Sequence, residues 1–294
     1  MRNAFIKELV LEAEINEKIA LIVGDLGYSV VESFAEKFPG RFINAGVAEQ
    51  NMIGIAAGMA SEGYQVFIYS IANFPTFRCA EQIRNDLAYH KLPITIVAVG
   101  AGLSYGNLGY SHHAIQDYGL MRMFPDMLIV APSNKFELSG CMSYIFNSPQ
   151  PSYLRLNKED ECIGGSGRAG ISPGDWQLVI GGSSNGEAII CTGATQQAAF
   201  AWREKHSMGT PIFSLPMWGM AYKKQQVNYL KNYKIVTTFE DHLLDAGFGS
   251  WMLEAAASMG PCMPCQVNIK ALDAGVCGVV GKQSYLNQNY GLGS

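Results

Sequence analysis

The sequence has little charge and no long apolar run. Only 16% of its 294 residues are charged, with 21 Lys and Arg against 25 Asp and Glu. Because no basic stripe is present that could neutralise a row of phosphates, we expect no nucleic-acid partner. No stretch reaches the ~20 apolar residues of a membrane helix, and residues 1–10 lack the apolar core of a signal peptide. These absences predict a cytoplasmic protein that does not bind membranes.

Cysteine is also scarce. Seven cysteines are scattered over the chain, and most lie in apolar periodic segments, which is typical of buried free thiols. Cys262 and Cys265 form a CxxC pair. Since no second pair and no histidine lies at zinc-ligand spacing, a structural or accidental role is favoured over a metal or redox role, and we predict no metal ligands in this chain.

Apolar residues and glycine, in contrast, are abundant. The hydrophobic fraction is 48%, and 32 residues are Gly. Such a composition excludes extensive disorder. The length predicts about two domains at roughly 150 residues per domain. Low charge combined with many apolar residues predicts that another subunit covers part of the surface.

Strand-like and helix-like segments alternate along the chain. Six apolar runs in the first half predict strands at 19–23, 42–44, 65–71, 94–99, 127–131 and 152–156, and the amphipathic stretches between them predict helices. A second alternating series begins at residue 188, after a Gly- and Ser-rich segment. Short strands that are apolar on both faces and separated by helices predict parallel sheets covered on both sides. We therefore predict an α/β protein with two parallel or mixed-sheet domains, residues 1–160 and 188–294, joined by a linker at 161–187.

A first candidate site residue is Glu49. It stands in the first turn of a helix rich in small residues, at the carboxyl end of a predicted parallel strand, where open α/β sheets bind ligands. Its neighbours in the sequence are mostly apolar or amide residues, so a carboxyl group buried there could hold or share a proton. The alternative is an acid that only stabilises the helix N-terminus through the macrodipole.

Two further segments follow neighbouring strands. Phe74 and Phe77, three residues apart, could present ring faces to a planar heterocycle near Glu49, with core packing as the alternative. His112 and His113 end a Gly-rich loop after the strand at 94–99. Because imidazole titrates near neutral pH, paired histidines in such a loop suggest acid–base or polar substrate contacts.

Together, and in this order, these segments resemble the C-terminal half of transketolase and of 1-deoxyxylulose-5-phosphate synthase. That half consists of a thiamine diphosphate-binding pyrimidine domain followed by a C-terminal domain. The resemblance runs from about Arg2 to the end of the chain and is densest between Phe42 and Ser133. It depends on GVAEQNMIG at 46–54, the Phe pair, GYSHHAIQDYGLMR at 109–122 and APSN at 131–134.

The resemblance implies a thiamine diphosphate enzyme that transfers a two-carbon ketol unit from a ketose to an aldose. Glu49 matches the family glutamate that hydrogen-bonds N1′ of the aminopyrimidine, and Phe74 and Phe77 match the aromatic residues that stack on this ring. His112 matches the histidine that contacts substrate oxygens near the reacting carbon. His113 resembles the second histidine of the deoxyxylulose branch.

Four more positions are implied by the resemblance alone. Asp25 matches a family position near the thiazolium ring. Arg2, Ser29 and Arg155 fall where the family binds the substrate phosphate, and Arg155 could make bidentate phosphate contacts. For Arg2, a disordered chain end is the alternative.

The family's Mg²⁺-binding segment is missing. Full-length members carry Gly-Asp-Gly and a later Asn in the preceding half. Residues 24–26, which are Gly-Asp-Leu, and Asn51 resemble this pattern only superficially. The resemblance therefore implies a split subunit that shares thiamine diphosphate and Mg²⁺ with a separate N-terminal subunit. We expect an α2β2 assembly with the cofactor at the interface and the metal held mainly by the partner.

Departures from the family pattern bear on the substrate. Leu108 stands where the family has an aspartate that recognises a sugar hydroxyl. Gly100 stands where ordinary transketolases have a histidine on the side of the substrate phosphate. Losing the partner of a buried hydroxyl costs about 1 to 3 kcal/mol, so we expect a sugar (phosphate) substrate that is unusual, deoxygenated or modified. The donor, the acceptor and the pathway stay open.

Two other functions are consistent with the same fold. One is the β subunit of a 2-oxoacid dehydrogenase, which the loop with His112 and His113 disfavours. The other is a non-catalytic regulatory subunit, which Glu49 and the two Phe residues disfavour. In the second domain, Glu240-Asp241-His242 resembles a family segment, but we expect only a turn with ordinary polar contacts.

Overall fold

The computed structural model describes residues 1–158, 170–183, 185–260 and 265–293, and all statements below concern these ranges. The strands are β1 Ile19–Val23, β2 Phe42–Asn44, β3 Gln65–Ile71, β4 Ile94–Val99, β5 Leu128–Val130, β6 Ser152–Leu156, β7 Gln177–Ile180, β8 Glu187–Cys191, β9 Ile212–Ser214, β10 Met217–Trp218, β11 Ile235–Leu243 and β12 Gln266–Leu272. The helices are α1 Arg2–Ile15, α2 Glu32–Lys37, α3 Glu49–Ser61, α4 Phe74–Phe77, α5 Ala80–Gln82, α6 Asp117–Met121, α7 Lys135–Asn147, α8 Gln196–His206, α9 Lys223–Leu230, α10 Phe248–Ala257 and α11 Gln283–Asn289. No helix in these ranges is long and apolar enough to span a membrane.

The first sheet has seven strands in the order β10-β5-β6-β4-β3-β1-β2. All neighbouring pairs are parallel except β10 with β5. Every residue of β1, β4 and β6 is buried, because helices cover both faces. This explains the continuous apolar runs of the sequence and confirms the predicted α/β class.

Successive residues of β1 point to opposite faces of this sheet. Leu21 packs in a cluster with Phe5 of α1, whereas Ile22 packs on the other side with Met52 of α3. Fully burying such a side chain stabilises the fold by about 1.5 to 3 kcal/mol. Helix α1 was not predicted from the sequence, although Phe5, Ile6, Leu9 and Ala13 give it a buried face.

The second sheet has five strands in the order β12-β11-β8-β9-β7, and β7 is antiparallel to β9. Strand β7 lies inside the predicted linker at 161–187, so the second half of that segment belongs to the second sheet instead. Residues 159–169 of the linker lie outside the described residues.

The two sheets are not independent. Strand β10, from the second half of the chain, pairs with β5 of the first sheet, with Met217 opposite Val130. Trp218 of the same strand packs against Tyr118 of the first domain and Trp251 of the second. The two sheets therefore share a hydrophobic core, and a boundary at residue 188 separates neither the sheets nor their cores, since β7 of the second sheet lies before it and β10 of the first sheet lies after it.

Parallel strands bring their carboxyl ends to one edge of the first sheet. The segments that follow β1, β2, β3 and β4 carry Asp25, Glu49, Phe74 and His112 respectively. Since open α/β sheets bind ligands at this edge, the topology places the predicted residues on the side where a site is expected.

Candidate active site

Glu49 is the first residue of α3 and is only 3% exposed. Its Oε2 accepts a hydrogen bond from Arg78 Nη1 at 2.9 Å, and its Oε1 has no partner. The residues next to Glu49 in the sequence are mostly apolar or amide, so this ion pair with a residue outside the motif was not predicted. Arg78 lies 29 positions along the chain, and its position directly after Phe77 was the one signal that could have pointed to it.

A cavity of about 510 Å³ lies beside this carboxylate, lined by Val47, Ala48, Glu49, Gln50, Asn51 and Arg78. On the strand side, a Cβ on Gly24 would lie 3.7 Å from both Glu49 Oε1 and Ser70 Oγ. Ser70 is fully buried, and its hydroxyl also lacks a partner. A buried polar atom without a partner costs about 1 to 3 kcal/mol, so Glu49 Oε1 suits a ligand that donates a hydrogen bond.

The short helix α4 carries both predicted aromatic residues. The guanidinium carbon of Arg78 lies 4.1 Å from the ring centroid of Phe74. The ring of His112 meets that of Phe74 edge-on, with centroids 5.3 Å apart. Phe77 is 47% exposed. The structure therefore brings Glu49, Phe74 and His112 together around Arg78 and leaves half of Phe77 at the surface.

His112 is half-buried in the loop after β4, and its Nδ1 lies 3.0 Å from Ser111 Oγ. Burial lowers its pKa below the ordinary 6.5, and the nearby His113 and Arg78 lower it further. The imidazole is thus neutral at pH 7. Asn73 Nδ2 donates to the carbonyls of Ser111 and His113 at 3.2 and 2.8 Å, which ties this loop to the start of α4.

His113 occupies the inner side of the same loop. It is 2% exposed, and its Nε2 lies 3.2 Å from the carbonyl oxygen of Gly106. This placement favours a role in holding the loop together over the substrate contact predicted from the sequence.

The loops after β1 and β2 are joined through Asn44. Its Oδ1 accepts from the backbone N–H groups of Asp25 and Gly46, at 3.1 and 3.0 Å. Its Nδ2 donates to Asp25 Oδ1 at 3.0 Å. Asp25 is exposed and has a left-handed backbone with φ of 55°, so its carboxylate lies at the open edge near Glu49's loop.

Arg2 and Ser29 lie near this edge. Ser29 is exposed, with φ of 64°, and its N–H donates to Glu32 Oε1 at 2.7 Å. Arg2 begins α1, is half-buried and bonds the hydroxyl of Tyr69, whose pKa burial raises to about 12. Tyr69 in turn packs against Gly27, two residues before Ser29. Arg2 is therefore part of the folded domain and not a disordered chain end.

Arg155 is not available to a substrate. It is 1% exposed, and its Nε and Nη1 donate to Asp117 Oδ2 at 2.6 Å and Asp241 Oδ1 at 2.5 Å. Its Nη2 donates to the Ala114 carbonyl at 2.6 Å. All three guanidinium nitrogens are bonded within the chain, so the geometry removes Arg155 from the phosphate site that the sequence predicted.

Tyr105 occupies the space beside Gly100. A Cβ atom added to Gly100 would lie 2.1 Å from the Tyr105 ring, and the backbone φ of Gly100 is 86°. The ring centroids of Tyr105 and His112 are 6.3 Å apart. Sequence reasoning missed Tyr105, although the glycine at position 100 was a signal of a close neighbour. Leu108 is 52% exposed on the same loop.

The described part of the chain contains no group of three or more His, Cys, Asp or Glu side chains that could hold a metal ion. Five cysteines within it are free thiols, Cys265 among them. Cys262 lies outside the described residues, so the role of the CxxC pair stays open.

The chain is similar to known proteins in sequence and in fold. The family model described as "Transketolase, pyrimidine binding domain" matches residues 1–162. A transketolase C-terminal section of Methanocaldococcus jannaschii is 34% identical, over 99% of this chain and 92% of that protein. A subunit of the apulose-4-phosphate transketolase of Actinobacillus succinogenes is 26% identical, over 93% and 88%. A solved structure titled "Split gene transketolase, inactive beta4 tetramer" is 28% identical with a TM-score of 0.81, and covers 99% of this chain and 93% of that one.

Proposed function

The chain belongs to the transketolase family, and from that premise we propose that it is the C-terminal subunit of a split transketolase. It transfers a two-carbon ketol unit from a ketose to an aldose, together with a separate subunit that binds the cofactor's diphosphate. The observation that carries the proposal is Glu49, a buried carboxylate that lines a cavity and has one oxygen bonded to Arg78 and the other without a hydrogen-bond partner.

The residues around this cavity fit the aminopyrimidine of thiamine diphosphate. Glu49 Oε1 would hold ring nitrogen N1′ by a hydrogen bond, which it would accept when N1′ carries a proton, and Phe74 and Phe77 would supply aromatic surface nearby. When bound, thiamine diphosphate supplies a thiazolium ring that stabilises a carbanion. Glu49 holds the proton at N1′ and so sets the tautomer of the ring. Asp25 lies at the edge where the thiazolium end is expected.

His112 is the second group that handles protons. Its imidazole is neutral, partly buried and oriented by Ser111, so it can accept a proton from a substrate hydroxyl and return it. The edge-on contact between the His112 and Phe74 rings fixes the distance of His112 from the pyrimidine side of the site. Arg78, between Glu49 and Phe74, limits the access of water to the carboxylate.

Mg²⁺ and the diphosphate belong to the partner subunit in this proposal. The described residues offer no cluster of metal ligands. Exposed apolar side chains border the cavity and its neighbouring loops: Tyr28, Val47 and Phe77. Apolar surface around a polar pocket is typical of a subunit interface. We propose an α2β2 assembly with the cofactor between the two kinds of chain.

The sugar substrate is modified in this proposal. Leu108 offers no polar group to a sugar hydroxyl, and Tyr105 fills the space at Gly100. With Arg155 bonded internally, Arg2 and Ser29 are the remaining candidates for a phosphate or another anionic group. A relative is named for apulose-4-phosphate, which is consistent with a substrate that differs from ordinary pentose phosphates.

The test is reconstitution. The chain is purified alone and together with a candidate diphosphate-binding subunit, and ketol transfer is measured with a panel of ketoses and aldoses. We expect poor thiamine diphosphate binding and no turnover for the chain alone, and transfer by the complex. Acyl transfer to lipoamide in place of ketol transfer would favour a 2-oxoacid dehydrogenase. A complex that binds the cofactor but transfers nothing would favour a regulatory subunit.

A further inference from the structure

The loop that carries His112 is closed at its base by a pair of backbone hydrogen bonds. Gly102 N–H donates to the Ala114 carbonyl at 3.1 Å, and Ala114 N–H donates to the Gly102 carbonyl at 2.9 Å. Residues 102–114, which we call the histidine loop, therefore leave and rejoin the first domain at one point. Whatever holds Ala114 holds the end of the loop that is two residues from His112.

The second domain binds the histidine loop and the residues that follow it. Leu243 N–H donates to the Ile115 carbonyl at 2.9 Å, and Gly119 N–H donates to His242 Nε2 at 3.2 Å. Within the loop, the Gly106 carbonyl accepts from Gly281 N–H at 3.1 Å. The second domain thus contacts the histidine loop at Gly106 and the segment that follows the loop at Ile115 and Gly119.

Arg155 is the centre of the contact at the loop base. One guanidinium group bonds the Ala114 carbonyl through Nη2 and the Asp241 carboxylate through Nη1, at 2.6 and 2.5 Å. Nη2 also donates to the backbone carbonyl of Asp241 at 3.2 Å. The side chains of Arg155 and Asp241 are both fully buried, so water does not compete for these bonds.

We propose that Asp241, in the second domain, is a positioning residue for His112. It fixes Arg155, Arg155 fixes the Ala114 carbonyl, and Ala114 fixes the end of the histidine loop. The segment Glu240-Asp241-His242, expected from the sequence to be an ordinary turn, is instead the buried end of β11. The proposal rests on the proposed function, because it assigns a catalytic consequence to the geometry of this loop.

Asp241 also contacts the first residue of the loop directly. A Cβ on Gly102 would lie 2.3 Å from Asp241 Oδ2, and Gly102 has φ of 57°. Only glycine fits there, since any other residue would meet both the carboxylate and an unfavourable backbone conformation. Asp241 therefore lies against both ends of the loop base, at Gly102 and, through Arg155, at Ala114.

The neighbouring residues of the segment have separate roles. Glu240 accepts from the N–H groups of Phe248 and Gly249, at 2.6 and 2.8 Å, and so binds the start of α10. His242 stacks on Tyr118 with ring centroids 5.5 Å apart. Of the three side chains, Asp241 is the one that reaches Arg155, so it can be altered without removing the contacts of Glu240 and His242.

Charge and hydrogen bonding at Asp241 can be separated. Arg155 keeps a second carboxylate, Asp117, so removing Asp241 does not leave the buried guanidinium unpaired. In Asp241→Asn the Oδ1 acceptor for Arg155 remains, and the other oxygen, which has no partner, is replaced. In Asp241→Ala the contact itself is lost.

The experiment measures amide hydrogen exchange in the whole chain and ketol transfer in the complex. We expect peptides covering residues 103–116 to exchange about tenfold faster in Asp241→Ala and close to the wild-type rate in Asp241→Asn. In the complex, we expect the kcat of Asp241→Ala to fall about tenfold while its affinity for thiamine diphosphate is unchanged. We expect Asp241→Asn to keep a kcat close to that of the wild type. The matched control is Asp175→Ala, which removes an acceptor of Gln225 and Tyr229 in the second domain, away from the loop.

Two results would overturn the proposal. One is wild-type exchange at 103–116 in Asp241→Ala. The other is equal loss of kcat in the Asn, Ala and Asp175→Ala variants, which would mean that stability or charge matters and not the contact. If the wild-type complex transfers nothing, the proposed function fails, whereas the exchange measurement still tests whether Asp241 holds the loop.

Discussion

Arg78 connects two residues of the candidate site. Its Nη1 donates to Glu49 Oε2 at 2.9 Å, and its guanidinium carbon lies 4.1 Å from the Phe74 ring centroid. Glu49 is 3% exposed, whereas the side chain of Arg78 is 46% exposed. A half-exposed cation thus holds a buried carboxylate, and this relationship defines the orientation of Glu49.

The first prediction concerns this ion pair. In Arg78→Met, Glu49 loses its hydrogen bond while most of the apolar contact with Phe74 remains. Because Glu49 is buried and its carboxylate is left without a hydrogen-bond partner, we expect a loss of about 1 to 3 kcal/mol in the free energy of unfolding. The kcat/KM of the complex should fall by about tenfold or more, since a free-energy difference of ~1.4 kcal/mol is a factor of ten. Arg78→Lys keeps one donor and should lose less; equal kcat/KM in all three proteins would contradict this role.

The second prediction concerns His112. In His112→Ala, turnover of the donor sugar should fall by about 10²-fold or more, with little change in the cofactor's affinity. In the wild type, burial lowers the pKa of His112 below 6.5, so the imidazole is protonated and activity is lost only when the pH falls below that value. A pH profile of kcat/KM checks this. An acid limb above pH 6.5, or an unchanged rate in the variant, would remove His112 from the mechanism.

The third prediction concerns Arg155. In Arg155→Met, the carboxylates of Asp117 and Asp241 are left buried without their cation, and we expect a loss of about 3 to 5 kcal/mol in the free energy of unfolding. The matched control is Lys91→Met, which breaks an exposed pair with Asp126 and should cost at most about 1 kcal/mol. Urea unfolding of both variants measures the difference. A stable Arg155→Met protein with weakened substrate binding would restore the phosphate role predicted from the sequence.

The fourth prediction concerns pH and Glu240. Burial raises the pKa of this carboxyl from 4.5 to about 8. The folded protein therefore keeps a proton that the unfolded chain loses above pH 4.5, and the free energy of unfolding falls as the pH rises from about 4.5 to 8. Glu240→Gln has no such proton. The stability advantage of the wild type over this variant should shrink across that range.

Unfolding curves at several pH values in both proteins measure this difference. His242, whose pKa burial lowers, contributes in the opposite direction below pH 6.5. Because its Nδ1 lies 4.0 Å from Glu240 Oε2, its contribution differs between the two proteins, so the range from pH 6.5 to 8 isolates the effect of Glu240. A stability difference that does not change with pH would show that Glu240 is ionised in the folded state.

Much of the fold was predictable because strand patterns are local. The runs IALIV, QVFIYSI and ITIVAV are β1, β3 and β4 at their predicted bounds. The family resemblance was predictable for a related reason, since Glu49 and the two histidines lie in short contiguous motifs. The comparisons confirm it.

Long-range contacts between side chains were not predictable in this way. The family resemblance implies a phosphate-binding role for Arg155, but the direction of its side chain depends on Asp241, 86 positions away. Strand β10 has only two residues, and it exists because β5 offers a free edge. The shared core of the two sheets has no local pattern that could predict it, and for the Glu49–Arg78 pair, 29 positions apart, the position of Arg78 directly after Phe77 is the one local signal.

The most direct test of the central claim is proton exchange at C2 of thiamine diphosphate bound to the reconstituted complex. We predict that the wild-type complex exchanges this proton, that Glu49→Gln slows exchange by about 10² to 10⁴-fold, and that assembly of the two subunits is unchanged. The matched control, Glu62→Gln, alters an exposed residue at the other end of α3 and should exchange at the wild-type rate. Exchange at the wild-type rate in Glu49→Gln would contradict the account.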